Sequence, residues 1–308
     1  MEIADMKIAI IGAGNVATHI GRKLAETGFP VLQVFSRTDV SAQTLADEIN
    51  RIYEKITGAN TRFTDERVKG VKGGNDGKNS FQPSNLDNFN VSPCSWTNSI
   101  ENVTSKADVY LVMLKDAVLD NVLPKLVKRN PKALFIHTAG SVPMDIWKGL
   151  AVRYGVLYPM QTFSKSRAVD FEQVHFFVEA KSAPDLELMK DLANHLSSKV
   201  FEASSEQRKY LHLSAVFACN FTNHMYAICN KLLQEHGLPF SSMFPLIDET
   251  ARKIHYIDPV DAQTGPAQRY DTNVMLRQEQ LLTSDPQVAE IYHLISENIH
   301  AYEKGRKK

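Results

Sequence analysis

The sequence predicts two parts: an N-terminal α/β domain built on a mostly parallel sheet, and an all-α C-terminal domain. Three observations carry this reading. Short apolar, β-branched runs alternate with amphipathic helical stretches up to about residue 203. The strand pattern stops at Ser204 and only helical periodicity follows. The chain has 308 residues, and domains usually run about 100–200.

Composition narrows the function classes. Hydrophobic residues make up 43% and charged residues 23%, which excludes a disordered or fibrous chain. Lys plus Arg (35) balances Asp plus Glu (35), so no electrostatic footprint points to nucleic acid. The basic tail Lys304–Lys308 reads as a frayed terminus. The cysteines, Cys94, Cys219 and Cys229, are odd in number and form no CxxC pair. A disulfide framework and a cysteine zinc site are not expected, no metal site is assigned, and reduced thiols fit the cytoplasm. The run Ile8–Ile11 is too short for a signal-peptide core, and no stretch reaches the ~20 apolar residues of a membrane span.

The elements follow in order. Lys7–Ile11 reads as a buried parallel strand, ended by Gly12. Asn15–Thr27 places Val16, Ile20 and Leu24 on one helical face, and Gly28 stops it. Val31–Phe35 is a second strand, and Ser41–Tyr53 a helix. Further strands are expected at Asp108–Leu114, Ala133–His137, Tyr154–Tyr158, His175–Glu179 and Lys199–Glu202. Helices are expected at Asn121–Lys128 and Leu186–Ser197. Residues 54–93 break the pattern: they are Gly-, Asn- and Ser-rich, include Lys72-Gly73-Gly74, and read as a flexible surface insertion. The domains are therefore 1–203 (dinucleotide-binding, as argued next) and 204–308 (helical, for substrate binding and dimerisation). Within the second, helices are expected over Glu206–His236, Ser241–Ile257, Pro266–Thr283 and Gln287–Glu303.

The segment Gly12-Ala13-Gly14-Asn15-Val16-Ala17 fits G-x-G-x-x-[G/A] between a strand and a helix. Gly12 permits the turn, Gly14 lets a pyrophosphate approach the backbone, and Ala17 lets the helix pack close. The free N–H groups of Asn15 and its neighbours face the phosphates. This is the dinucleotide site of a Rossmann domain. At the end of the second strand stands Ser36-Arg37-Thr38, with no acid to hold a ribose diol. Arg37 can meet a 2′-phosphate, and the hydroxyls of Ser36 and Thr38 can add to it, so NADP is favoured over NAD. Ligands in such sheets sit beyond the carboxyl ends of the strands. That rule selects Leu114 and Lys115, His137-Thr138-Ala139-Gly140, and Tyr158-Pro159-Met160-Gln161-Thr162. The small residues after His137 should lie nearest the nicotinamide.

These segments, with His212-Leu213-Ser214-Ala215-Val216-Phe217-Ala218-Cys219-Asn220-Phe221 and Thr264-Gly265-Pro266, make the chain resemble a family of Rossmann-fold NADP oxidoreductases. Its members carry a C-terminal helical domain of unknown function. They are relatives of pyrroline-carboxylate reductases and β-hydroxyacid dehydrogenases. The resemblance implies a homodimer through the helical domain, whose first long helix supplies catalytic residues. The lysine-plus-asparagine pair of hydroxyacid dehydrogenases is not reproduced, because Leu213 stands four residues after Lys209.

On an ideal helix Cys219 and Asn223 fall within about 20° of His212, Asn220 lies about 80° round and His224 about 120°. His212 and Asn220 can therefore flank one cleft, as proton donor and substrate anchor. Hydrogen bonding across a dimer interface would satisfy the same side chains. Thr264 is expected to cap a helix, and Arg269 and Asp271 to form a surface pair. The expected activity is hydride transfer between NADP(H) and a small C=N or C=O substrate. A non-enzymatic NADP-binding regulator or scaffold is the alternative. A deazaflavin partner in place of nicotinamide has no distinctive residue behind it.

Overall fold

The computed structural model describes residues 3–66 and 92–306. One eight-stranded sheet organises the first part, in the order β3-β2-β1-β4-β5-β6-β7-β8. The strands are β1 Ile8–Ile11, β2 Val31–Phe35, β3 Ser95–Thr97, β4 Val109–Val112, β5 Leu134–His137, β6 Arg153–Met160, β7 His175–Ala180 and β8 Val200–Glu202. All pair in parallel except β6 with β7. The chain starts at β1, winds outward to β3, then crosses to β4 and the far edge. The strand order thus reverses between β1 and β4, where an open α/β sheet forms its ligand crevice.

Every residue of β1, β4 and β5 is buried, because helices cover both faces. On one face lie α1 (Asn15–Glu26), α2 (Asp39–Glu66) and α4 (Ala183–Asn194), which supply Ile20, Leu45 and Met189 to a core with Ile8, Ile10 and Leu111. On the other, α3 (Leu119–Val127) brings Leu123 and Leu126 to Tyr110, Phe135 and Trp147. Tyr110 stacks on Phe135 at 4.9 Å, and Phe135 packs at 5.7 Å from Trp147.

The structure departs from the sequence reading at identifiable points. Strand β3 was not expected: Ser95-Trp96-Thr97 has no apolar run, and Trp96 is exposed. Backbone pairing to β2 creates it, and the Asn50 amide pins its entry through both the N–H and the carbonyl of Cys94. Helix α2 continues to Glu66, well into the expected insertion; residues 67–91, including Lys72-Gly73-Gly74, lie outside the described residues.

Backbone contacts divide the chain into units Met1–Phe217 and Ala218–Lys308, later than the boundary expected after residue 203. Helix α5 (Ser205–Ala215) belongs to the first unit and begins with a capping box between Ser204 and Gln207. The expected single helix 206–236 is interrupted: Val216–Phe221 is π-helical before α6 (Thr222–Glu235). The second unit continues through α7 (Phe244–Lys253), α8 (Pro266–Arg269), α9 (Thr272–Gln280) and α10 (Pro286–Arg306). The helix expected over 266–283 is split because Tyr270 takes a left-handed conformation, φ 56°. Asp271 then caps α9 by accepting from the Val274 N–H, so it is not the partner of Arg269. The N-cap of α8 is Gly265, not Thr264, and no side chain caps it.

Candidate active site

The glycine turn leaves β1 at the reversal point. Gly12 has φ +126°, and a Cβ there would collide with the Met113 carbonyl just after β4. Its N–H donates to Phe35 O at 2.8 Å, which locks the turn between β1 and β2. Gly14 differs: a Cβ there would meet nothing within 4 Å. Glycine at position 12 is required by the fold itself, whereas position 14 opens onto free space, as a cradle for a ligand backbone requires. Ala17 is fully buried, which lets α1 approach the sheet. The N–H groups of Asn15 and Val16 in the first turn have no intrahelical acceptor.

A segment after β6 reaches across this turn. Asn15 Nδ2 donates to Phe163 O at 2.9 Å, Lys165 Nζ donates to Ala13 O at 2.8 Å, and His19 Nε2 lies 2.8 Å from Ser164 O. Residues 163–165 therefore fasten the β6 end to the glycine turn and bring an ammonium beside it. Sequence reasoning reached Thr162 but missed Lys165, since nothing local links it to a turn 152 positions away.

Ser36, Arg37 and Thr38 follow β2. The Ser36 N–H is bound to Thr97 O at 3.1 Å on the neighbouring β3. Arg37 and Thr38 are exposed, and among the described residues Arg37 makes no ion pair. The guanidinium is thus available to an anion.

Leu114 packs 3.4 Å from the Cβ position of Gly12, while Lys115 is exposed. The β5 end is more specific. The His137 side chain is wholly buried and lies against Trp147, with ring centroids 6.4 Å apart. Its Nδ1 accepts from the Ala139 N–H at 3.3 Å. Burial first, and the nearby Arg208 guanidinium second, push its pKa down to about 3, so the ring is neutral at physiological pH. His137 can meet a cofactor only through its backbone; its imidazole shapes the turn. Thr138 and Ala139 are half-buried and Gly140 is buried.

Gly140, Tyr158 and His212 converge. A Cβ on Gly140 would sit 2.8 Å from the Tyr158 ring and 2.9 Å from His212 Nδ1. Tyr158 Oη and His212 Nδ1 are 3.2 Å apart, and the rings meet edge-on with centroids at 6.0 Å. Helix α5 is held there by Arg208, one turn before His212 and 1% exposed. Arg208 donates to Glu179 on β7 at 2.6 Å, to Val142 O at 2.7 Å and to Ser205 Oγ at 3.2 Å. Glu179 also accepts from the Ser205 N–H and Oγ–H, at 2.9 and 2.7 Å. A buried cation with this many charge-assisted bonds fixes the helix against the sheet. The composition of α5 gave no hint of it, because a surface arginine reads the same in sequence.

Asn220 is exposed and belongs to the second unit, inside the π-helical segment. The 100°-per-residue rule does not hold across that segment, so the angle expected between His212 and Asn220 does not apply. Among the described residues no three His, Cys, Asp or Glu side chains are placed to hold a metal ion, and no helix is long and apolar enough to cross a membrane.

Comparison with known proteins agrees with this geometry. Residues 7–72 match the family described as "NADP oxidoreductase coenzyme F420-dependent", and residues 174–299 match the domain of unknown function DUF2520. No curated protein sequence matches. The crystal structure of a "putative NADP oxidoreductase" from Bacteroides fragilis is 42% identical with a TM-score of 0.81, over 97% of this chain and 100% of that one. The fold is shared with an imine reductase from Myxococcus stipitatus in complex with NAD+ (13% identity, TM-score 0.59, 96% and 94% covered). It is also shared with Plasmodium falciparum pyrroline carboxylate reductase with NADP bound (10% identity, TM-score 0.52, 96% and 99% covered). The chain belongs to the oxidoreductase family represented by the Bacteroides fragilis protein, in which an NAD(P)-binding Rossmann domain is followed by a DUF2520 domain.

Proposed function

We propose that this protein is an NADP-dependent oxidoreductase that moves a hydride between NADP(H) and a small C=N or C=O substrate. The observation that carries the reading is the pairing of an open cradle at Gly14 with the Tyr158–His212 pair, where β6 meets α5. The N–H groups of Asn15 and Val16 would hold the pyrophosphate, and Arg37, with Ser36 and Thr38, the 2′-phosphate. Leu114, Lys115 and the backbone of His137–Gly140 would border the nicotinamide. NADPH, when bound, supplies the hydride for the electrophilic carbon. His212 in its protonated form gives one proton to the substrate nitrogen or oxygen and is left as neutral imidazole, so charge and protons balance.

A homodimer completes the proposal. Among the described residues of 218–306 only Ala262, Ala267, Leu282 and Ser296 are buried. Tyr256 and Leu281 are 85% and 80% exposed. A second copy covering such helices would supply the missing core. The free thiols of Cys94, Cys219 and Cys229 support a cytoplasmic setting.

Calorimetric titration with NADPH, NADP, NADH and NAD tests the cofactor assignment. Tight binding of the phosphorylated pair alone is expected. Equal binding of all four sinks the role of Arg37, and no binding removes the oxidoreductase reading. On a cyclic imine reduced with NADPH, full turnover by His212→Ala overturns the acid assignment.

A further inference from the structure

We propose that Tyr158 is the positioning residue for His212: its hydroxyl occupies Nδ1 and reserves Nε2 as the nitrogen that exchanges protons with substrate. This rests on the reading of His212 as the proton donor.

Three observations support it. Tyr158 Oη lies 3.2 Å from Nδ1, and among the described residues Nε2 makes no hydrogen bond. The tyrosine hydroxyl oxygen can accept from Nδ1–H both in the cationic ring and in the neutral ring left after Nε2 gives up its proton, so one contact serves both states. When the ring is cationic, Nδ1–H donates to Oη, and Nε2–H is the remaining proton for transfer. Neighbouring structure then keeps the pair in register. The missing side chain at Gly140 leaves room for both rings, and Arg208 anchors the turn of α5 before His212. Tyr158 is 8% exposed on β6, so it moves little, while His212 is only half-buried. A buried, rigid partner on the inner nitrogen and an unbonded outer nitrogen is the arrangement that orients a general acid.

The test needs no known substrate. Histidine ring nitrogens of the full chain, labelled with ¹⁵N, are followed by NMR at about pH 9, where an ordinary imidazole is neutral. His212→Gln assigns the signal. In the wild type the Nδ1 resonance should carry the displacement of a hydrogen-bonded nitrogen, and in Tyr158→Phe it should return to that of a free imidazole, with the circular dichroism unchanged. Gly140→Ala, which drives a methyl group against both rings, should produce the same loss if Tyr158→Phe folds poorly. Identical Nδ1 resonances in wild type and both variants overturn the proposal. Turnover of a cyclic imine with NADPH separates the two readings. A fall of about ten- to a hundredfold in kcat for Tyr158→Phe, with a larger fall for His212→Gln, supports both. A lost Nδ1 displacement with unchanged turnover in His212→Gln shows the contact to be real and the acid role of His212 to be wrong, and the function proposed for Tyr158 falls with it.

Discussion

The two units of this chain solve the problem of a core in opposite ways. In Met1–Phe217 three strands are buried along their whole length, and helices seal the apolar runs from both sides. In Ala218–Lys308 only three apolar residues are buried among the described residues: Ala267 on a helix, and Ala262 and Leu282 in turns. A sheet gathers distant segments into one layer that two sets of helices can close. A few helices of four to twenty-one residues expose most of their apolar area unless something else packs on them. The first unit therefore carries a closed core, whereas the second exposes most of its apolar side chains.

Four perturbations break or sharpen that contrast. The largest effect is expected at Arg208. Arg208→Met leaves Glu179 without its cation inside the closed unit, and should cost about 3–5 kcal/mol in urea unfolding. A loss below about 1 kcal/mol would mean that α5 is held by apolar packing instead.

Glycine substitutions separate fold from ligand. Gly12→Ala meets both a positive φ and the Met113 carbonyl, so it should destabilise the unit by about 3 kcal/mol. Gly14→Ala meets nothing, so thermal unfolding should stay near wild type while NADPH binding weakens at least tenfold. Equal effects on stability would erase the distinction between the two glycines.

Acid should act on the closed unit through His137. Its pKa falls from 6.5 when unfolded to about 3 when buried, so the unfolded chain binds the extra proton between those values. The stability from the neutral ring is present in full above about pH 6.5 and is lost as pH falls towards 3, by up to about 1.4 kcal/mol per pH unit. His137→Gln should flatten that part of the stability–pH curve; an unchanged slope assigns it to other groups.

The smallest effect belongs to the open unit. If a second copy covers it, the melting temperature should rise by a few degrees with protein concentration, and sedimentation should report a dimer. A concentration-independent melt from a monomer removes the dimer.

Much of the first unit was legible in the sequence. The runs Ile8–Ile11, Val109–Val112 and Leu134–His137 are buried on both faces, so they are continuously apolar, and Gly12 and Gly14 punctuate the first of them. Such signals are local: composition and period over a few residues fix them. The Tyr270 break was not legible, because a tyrosine in a left-handed conformation is set by its surroundings. Nor was β3, which exists only because β2 offers it an edge.

By itself, the sequence determined the order of strands and helices apart from β3 and the breaks in the C-terminal helices, the glycine turn with Arg37 beyond β2, and the change from sheet to helices near residue 204. The tertiary structure decided which side chains meet. It turned His137 into the core, brought Lys165 to Ala13, buried Arg208 against Glu179 and set Tyr158 beside His212. The physical reason is sequence separation. Secondary structure follows from contacts a few residues apart, whereas the Tyr158–His212 pair joins positions 54 apart and depends on where β6 and α5 lie once the sheet has formed.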